Sequence, residues 1–245
     1  MLLLAGSLVA FGAMFGCAKE PEPTGSAPET TTGTTTGDTS ATTDGNAGAT
    51  TGETDPTPPA QDTTYKAPAV KDGEEVGVID TEKGQIIVKF FPDKAPKHVE
   101  RFKMLANKHF WDGIRFHRCI AGMMIQGGDP KTKDLSKAAE WGTGGYEENG
   151  KEVTLKAEFN DTPHTRGILS AARTSDPDTA SSQFFLMHQA YPSLDHQYTV
   201  YGQIVKGIEV VDEIVKTGDP NDNGAVVPTE AVVVKTIRIA KWPVK

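Results

Sequence analysis

The chain has 245 residues and a formal net charge of −8, with 25 Lys and Arg against 33 Asp and Glu. Residues 18–64 hold eight acids and one base, so nearly all of the net charge sits there and the rest is close to neutral. A nucleic-acid surface needs clustered Lys and Arg, and none occurs, so that class of partner is excluded.

In chain order, the first segment is uncharged, and Leu2–Phe15 is apolar over the length of a signal peptide. Small Gly16 precedes Cys17, and the pattern resembles the lipobox of bacterial lipoproteins. The resemblance implies that 1–17 is a lipoprotein signal peptide and that Cys17 is acylated to become the mature N-terminus. It further implies an extracytoplasmic location, in the periplasm or at the cell surface, with membrane attachment through the lipid. Next comes a stretch of Thr, Gly, Pro, Glu and Asp without an aromatic residue before Tyr65. Such a composition cannot bury enough surface to offset its ordering entropy. Residues 18–70 are therefore expected to be a disordered linker, spanning roughly 35–40 Å as a random coil.

Residues 71–245 hold the only sequence able to form a core. Runs of β-branched and aromatic residues between turn signals predict strands at Glu75–Asp80, Gln85–Phe91, Arg115–Ile120 and Met123–Gln126. Further strands are predicted at Gly167–Ala172, Gln183–Met187, Thr199–Val205 and Ala231–Ala240. Thr81-Glu82-Lys83-Gly84 reads as a hairpin turn, with Gly where a positive φ costs least. One helix is predicted from Pro96, at its first position, to about Asn107, with Val99, Phe102 and Leu105 or Ala106 facing inward. A second is predicted from Gly207 to Lys216, burying Ile208, Val211, Ile214 and Val215. Many strands and two helices predict a mainly β fold: a closed eight-stranded antiparallel barrel capped by two α-helices. A closed barrel exposes no edge strand, so a monomer is expected.

The run from Phe116 to Asp129 reads F-H-R-x-I-x-G-x-M-x-Q-G-G-D and resembles the signature segment of cyclophilins. Gly142-Thr143-Gly144-Gly145 is similar to that family's glycine loop, and Gly167–Ala172 to its mid-barrel strand. Ser182-Gln183-Phe184-Phe185, Leu194-Asp195 and Val200-Tyr201-Gly202 follow in the family's order. The resemblance covers residues 75–240. It implies a peptidyl-prolyl cis/trans isomerase acting on proline-containing unfolded or exported polypeptides. The alternative on the same fold is a chaperone module that holds proline peptides with weak catalysis. Arg118 and Gln126 are the implied catalytic residues, Gln126 orienting Arg118 and bonding the substrate backbone. The implied substrate-binding residues are Phe116, Met123, Met124, Gly142, Ala172, Arg173, Gln183, Phe185, Leu194 and Tyr198. Met123 stands where the family usually has Phe, Tyr198 where it has His, and Arg173 where it has Asn.

No cofactor is expected, and the six histidines show no metal-ligand spacing such as H-E-x-x-H. No G-x-S-x-G elbow occurs, which removes the hydrolase reading. Cys119 lies in an apolar run and reads as a small packed thiol. Asp219–Glu230 fits the loop pattern D-x-[DN]-x-[DN]-G-x₅-E of calcium sites, but a strand follows it and Pro228 stiffens it, so a polar turn, which Asp, Asn, Gly and Pro also suit, is the expected reading.

Overall fold

A computed structural model describes residues 65–244. The signal segment, Cys17 and the linker as far as residue 64 lie outside the described residues. Tyr65 and Val70, placed in the linker by composition, pack instead against the folded domain. Tyr65 supplies the apolar ring that the preceding stretch lacks. Its hydroxyl donates to the Ile204 carbonyl, and its ring lies against Gly167, leaving no room there for a side chain.

Strands β1 (Glu75–Thr81) and β2 (Gly84–Phe90) form the predicted hairpin. Thr81 pairs with Gly84, whose φ is +137°. The Thr81 hydroxyl donates to the Gly84 carbonyl at 2.7 Å and accepts from the Lys83 N–H at 3.0 Å, closing the turn. Helix α1 (Pro96–Asn107) starts with Pro, but Ala95 offers no side-chain cap. Its free N–H groups at Lys97 and His98 donate instead to the Glu158 carboxylate at 3.1 and 3.0 Å. The helix buries His98, Val99, Phe102, Leu105 and Ala106, a single stripe at helical spacing. Phe102 lies with its ring centroid 4.7 Å from Trp111, 5.2 Å from Phe90 and 6.1 Å from both Phe184 and Tyr201. Truncating so central a ring to alanine costs about 3–5 kcal/mol.

The remaining elements are β3 (Arg118–Ile120), β4 (Met124–Gly127), a short pair β5 (Glu147–Glu148) and β6 (Lys151–Glu152), β7 (Ile168–Ala171), β8 (Phe184–Met187), β9 (Val200–Lys206), helix α2 (Ile208–Ile214) and β10 (Val234–Lys241). Eight strands make one antiparallel sheet in the order β10-β1-β2-β9-β7-β8-β4-β3. The closed barrel expected from sequence is not reached. The sheet curls, but β3 and β10 form no ladder, and an isolated bridge from Arg115 to Val233 joins the segments before them. Phe116 and His117 leave the strand pleat, and β10 begins at Val234 rather than Ala231, so too little regular strand remains to close the ring.

The main core fills the space between the sheet, α1 and α2. A smaller apolar cluster of Met124, Ile168, Ala172, Phe185, Met187, Leu194 and Val200 forms beside it. Strand alternation separates the two: Phe184 enters the main core and Phe185 the smaller cluster. No helix among the described residues is long and apolar enough to cross a membrane.

Candidate active site

The β3–β4 hairpin sets Arg118 directly opposite Gln126, so both side chains share one face of the sheet. They line a cavity of about 430 Å³ together with Met123, Met124, Gly142 and Ala172. Arg173, Phe185, Leu194 and Tyr198, all predicted for the site, line the same hollow. Gln183 lies in an adjoining cavity of about 350 Å³ that shares Gln126, Gly142, Ala172 and Arg173 with the first. Phe116 does not belong to the site. It is wholly buried in the main core, edge-on to Phe184 at 6.4 Å, because the irregular backbone before β3 breaks the alternation that would have aligned it with Arg118.

Arg118 is held from a direction the sequence did not reveal. Its Nε donates to the Asn223 carbonyl at 3.1 Å and an Nη to the Asn223 side-chain oxygen at 2.8 Å. The other Nη finds no hydrogen-bond partner among the described residues. Burial lowers the pKa of the guanidinium, opposed by the nearby Tyr198, and an arginine stays cationic regardless. Asn223 sits at φ +49°, a conformation that Asn tolerates better than most residues. Its turn is closed by Gly224 N–H donating to the Asp219 carbonyl at 2.9 Å and Asn221 N–H to the Asp219 carboxylate at 2.8 Å. Cys119 N–H donates to the Gly224 carbonyl at 2.7 Å and clamps that turn to β3. The segment with the calcium-loop pattern thus folds as a turn that presents Asn223. Among the described residues no group of three or more His, Cys, Asp or Glu is placed to hold a metal ion.

Gln126 does not orient Arg118, contrary to the sequence reading. Its amide donates to the Gln183 side-chain oxygen at 3.0 Å, and Gln183 donates to the carbonyls of Gly142 and Gly144 at 2.9 and 2.8 Å. The competing partner wins because Gln183 lies beside Phe184 and Phe185, the strand paired with Gln126. The two glutamines therefore tie the glycine loop to the sheet and fix one wall.

The opposite side is apolar and aromatic. Phe185 meets Tyr198 edge-on at 5.5 Å, and the Arg173 guanidinium lies 4.5 Å over the Tyr198 ring. His117, assigned in sequence to structure, also lines the cavity; it is 8% exposed and neither ring nitrogen has a hydrogen-bond partner. Burial pushes its pKa down to about 4 despite the opposing charge of Asp129, so the ring is neutral at pH 7. Consecutive His117 and Arg118 face the same hollow only because the chain is irregular before Arg118. Behind them Cys119 is a buried free thiol, pushed up to about 12 by desolvation.

The family model described as cyclophilin type peptidyl-prolyl cis-trans isomerase/CLD matches residues 77–243, which is the domain that carries this cavity. The chain belongs to the cyclophilin family of peptidyl-prolyl cis/trans isomerases. A probable peptidyl-prolyl cis-trans isomerase of Brucella abortus (strain 2308) is 39% identical over 169 residues, covering 68% of this cyclophilin and 84% of its relative. A peptidyl-prolyl cis-trans isomerase of Synechococcus elongatus is 40% identical over 126 residues, covering 51% and 77%. A crystal structure of a cyclophilin type isomerase from Cryptosporidium parvum, in the presence of the dipeptide Ala-Pro, is 27% identical with a TM-score of 0.58. It spans 68% of this cyclophilin and 99% of its own chain.

Proposed function

We propose that this cyclophilin accelerates X-Pro rotation by holding the proline ring on Met123, Met124, Phe185 and Leu194 while Arg118 stabilises the twisted bond. The partial double bond of a peptide sets a rotation barrier of roughly 18–20 kcal/mol. In the twisted state resonance is lost, and the proline nitrogen gains a lone pair that accepts a hydrogen bond. A preorganised cationic donor beside it favours that state over either planar one. An acceleration of about 10⁵ asks for only about 7 kcal/mol of differential stabilisation. The observation that carries this reading is the arrangement of Arg118: two of its nitrogens are fixed by Asn223, and the residue lines the same cavity as the apolar residues.

The substrate class is proline-containing polypeptide, supported by the Ala-Pro dipeptide present with the Cryptosporidium parvum relative. NMR exchange on an Ala-Pro peptide, comparing the wild type with Arg118→Ala, tests the reading. Fast exchange that collapses in the variant is expected. Binding without any acceleration by the wild type overturns it in favour of a holding module.

The run ending in Gly16-Cys17 supports a lipid-anchored, extracytoplasmic form that serves exported proteins. Mass spectrometry of the mature N-terminus decides this part: an acylated Cys17 is expected, and an unmodified residue there removes the anchor. Sedimentation measures the oligomeric state.

A further inference from the structure

Behind the aromatic side of the cavity, His164 is 1% exposed and lies outside the hollow itself. Its ring stacks on Phe185, with centroids 6.0 Å apart and planes inclined by 19°, and meets Tyr198 edge-on at 6.4 Å. Every polar atom of the residue is engaged. The His164 backbone N–H donates to an Asp195 carboxylate oxygen at 2.7 Å, and Nδ1 lies 3.0 Å from the same oxygen. Nε2 lies 2.9 Å from the Ser170 hydroxyl, and the His164 carbonyl accepts from Tyr191 N–H at 2.8 Å.

These partners belong to two separate parts of the socket. Asp195 directly follows Leu194, on the loop from Tyr191 to Tyr198, whereas Ser170 pairs with Phe185 across β7 and β8. We propose that His164 is a positioning residue: with Asp195 it bolts the Tyr191–Tyr198 loop to the sheet and so sets the spacing between Leu194 and Phe185. The inference rests on that socket being the proline site.

The hydrogen-bond roles are fixed by the partners. Ionised Asp195 accepts only, so Nδ1 carries the proton, and Nε2 then accepts from the Ser170 hydroxyl. Burial lowers the pKa of His164 against the opposing pull of Asp195, and the neutral ring has this one compatible tautomer. Ser, His and Asp in this order also form the constellation of a hydrolase. Ser170 is 0% exposed, so no substrate reaches its hydroxyl and that use is ruled out.

A socket grips the proline ring in the planar and twisted states alike, so loosening it weakens binding without slowing the bound reaction. NMR line-shape analysis of an Ala-Pro peptide gives affinity and on-enzyme exchange separately. His164→Phe keeps a ring on Phe185 but loses both polar partners; it and Asp195→Ala are each expected to weaken affinity about tenfold, with exchange inside about twofold. The double variant is expected to lose no more than Asp195→Ala alone, which already removes the acceptor of both the His164 ring and its backbone N–H. Asp195→Asn, which keeps the acceptor oxygen, restores affinity. Imidazole ¹⁵N spectra of the wild type need no variant to fold, and the Nδ1–H tautomer is expected. Unchanged affinity in the folded single variants, additive losses, or the Nε2–H tautomer overturns the bolt. An inactive wild type overturns instead the isomerase site on which it rests.

Discussion

The two walls of the groove each carry an arginine, and they differ in what their donors are doing. On the β3 side, Arg118 spends Nε and one Nη on a single residue, Asn223. On the opposite side, Arg173 gives Nε and Nη2 to the Gln197 carbonyl at 3.0 and 2.7 Å, and Nη1 to the carbonyls of Thr174 and Ser175. Its face is covered as well, by Tyr198. Arg173 is a staple between two loops, and Arg118 is a fixed donor with one end open. Equal charge in one cavity therefore leaves unequal donors, and the proposed chemistry follows the donors left over.

Removing the open donor is the strongest test of that contrast. Arg118→Ala is expected to lower kcat/KM about 10²–10³-fold, the scale for deleting one preorganised electrostatic donor. Arg118→Lys should not restore it, since a point charge cannot keep both bonds to Asn223. Both are read by exchange kinetics on an X-Pro peptide; activity within threefold of wild type in either erases the distinction between the walls.

The Arg118 wall also holds a buried histidine, which acid should expose. His117 has a folded pKa of about 4, below the ordinary 6.5, because burial disfavours its charge. Below pH 6.5 the unfolded chain takes up a proton that the folded chain refuses, so stability is complete above 6.5 and falls as the pH drops toward 4. The full loss is about 3 kcal/mol. Urea midpoints between pH 4 and 7 measure it, and the difference between wild type and His117→Gln isolates this residue from the other histidines.

Smaller effects separate holding from reacting. Asn223→Gly tolerates the φ of +49° and keeps the backbone carbonyl that accepts from Nε, but it removes the side-chain acceptor of Nη; about a tenfold fall in turnover is expected, with little change in melting. Arg173→Ala reverses the pattern: turnover within about threefold, and a loss of about 1 kcal/mol in stability from the broken loop staple. If the Arg173 variant loses turnover as heavily as the Asn223 one, the two walls are not different in kind.

Most of the strands and of the residues that line the groove are legible because their signals are local. Phe184 and Phe185 divide between core and cavity by strand alternation, and α1 shows its buried stripe in the spacing of Val99, Phe102 and Leu105. What sequence could not reveal depends on contacts between distant residues or on irregular backbone. Asn223 lies 105 residues from Arg118 and sat within a pattern that reads as a turn or a cation loop. Gln126 was assigned to Arg118 across its own hairpin, but Gln183, from the neighbouring strand, claims its amide. The resemblance places Phe116 in the groove, and the count of strands and helices closes the barrel; irregular backbone before β3 overturns both.

The distant cap on α1 has a consequence for how the chain reaches this state. Glu158 receives the first helical N–H groups from 60 and 61 positions away, and its own N–H donates at 2.9 Å to the Thr199 hydroxyl, beside β9. The opening turn of α1 is thus completed only once late-synthesised chain has arrived. A peptide limited to 96–107 should fray at that end, because the acceptor of its first N–H groups lies outside it.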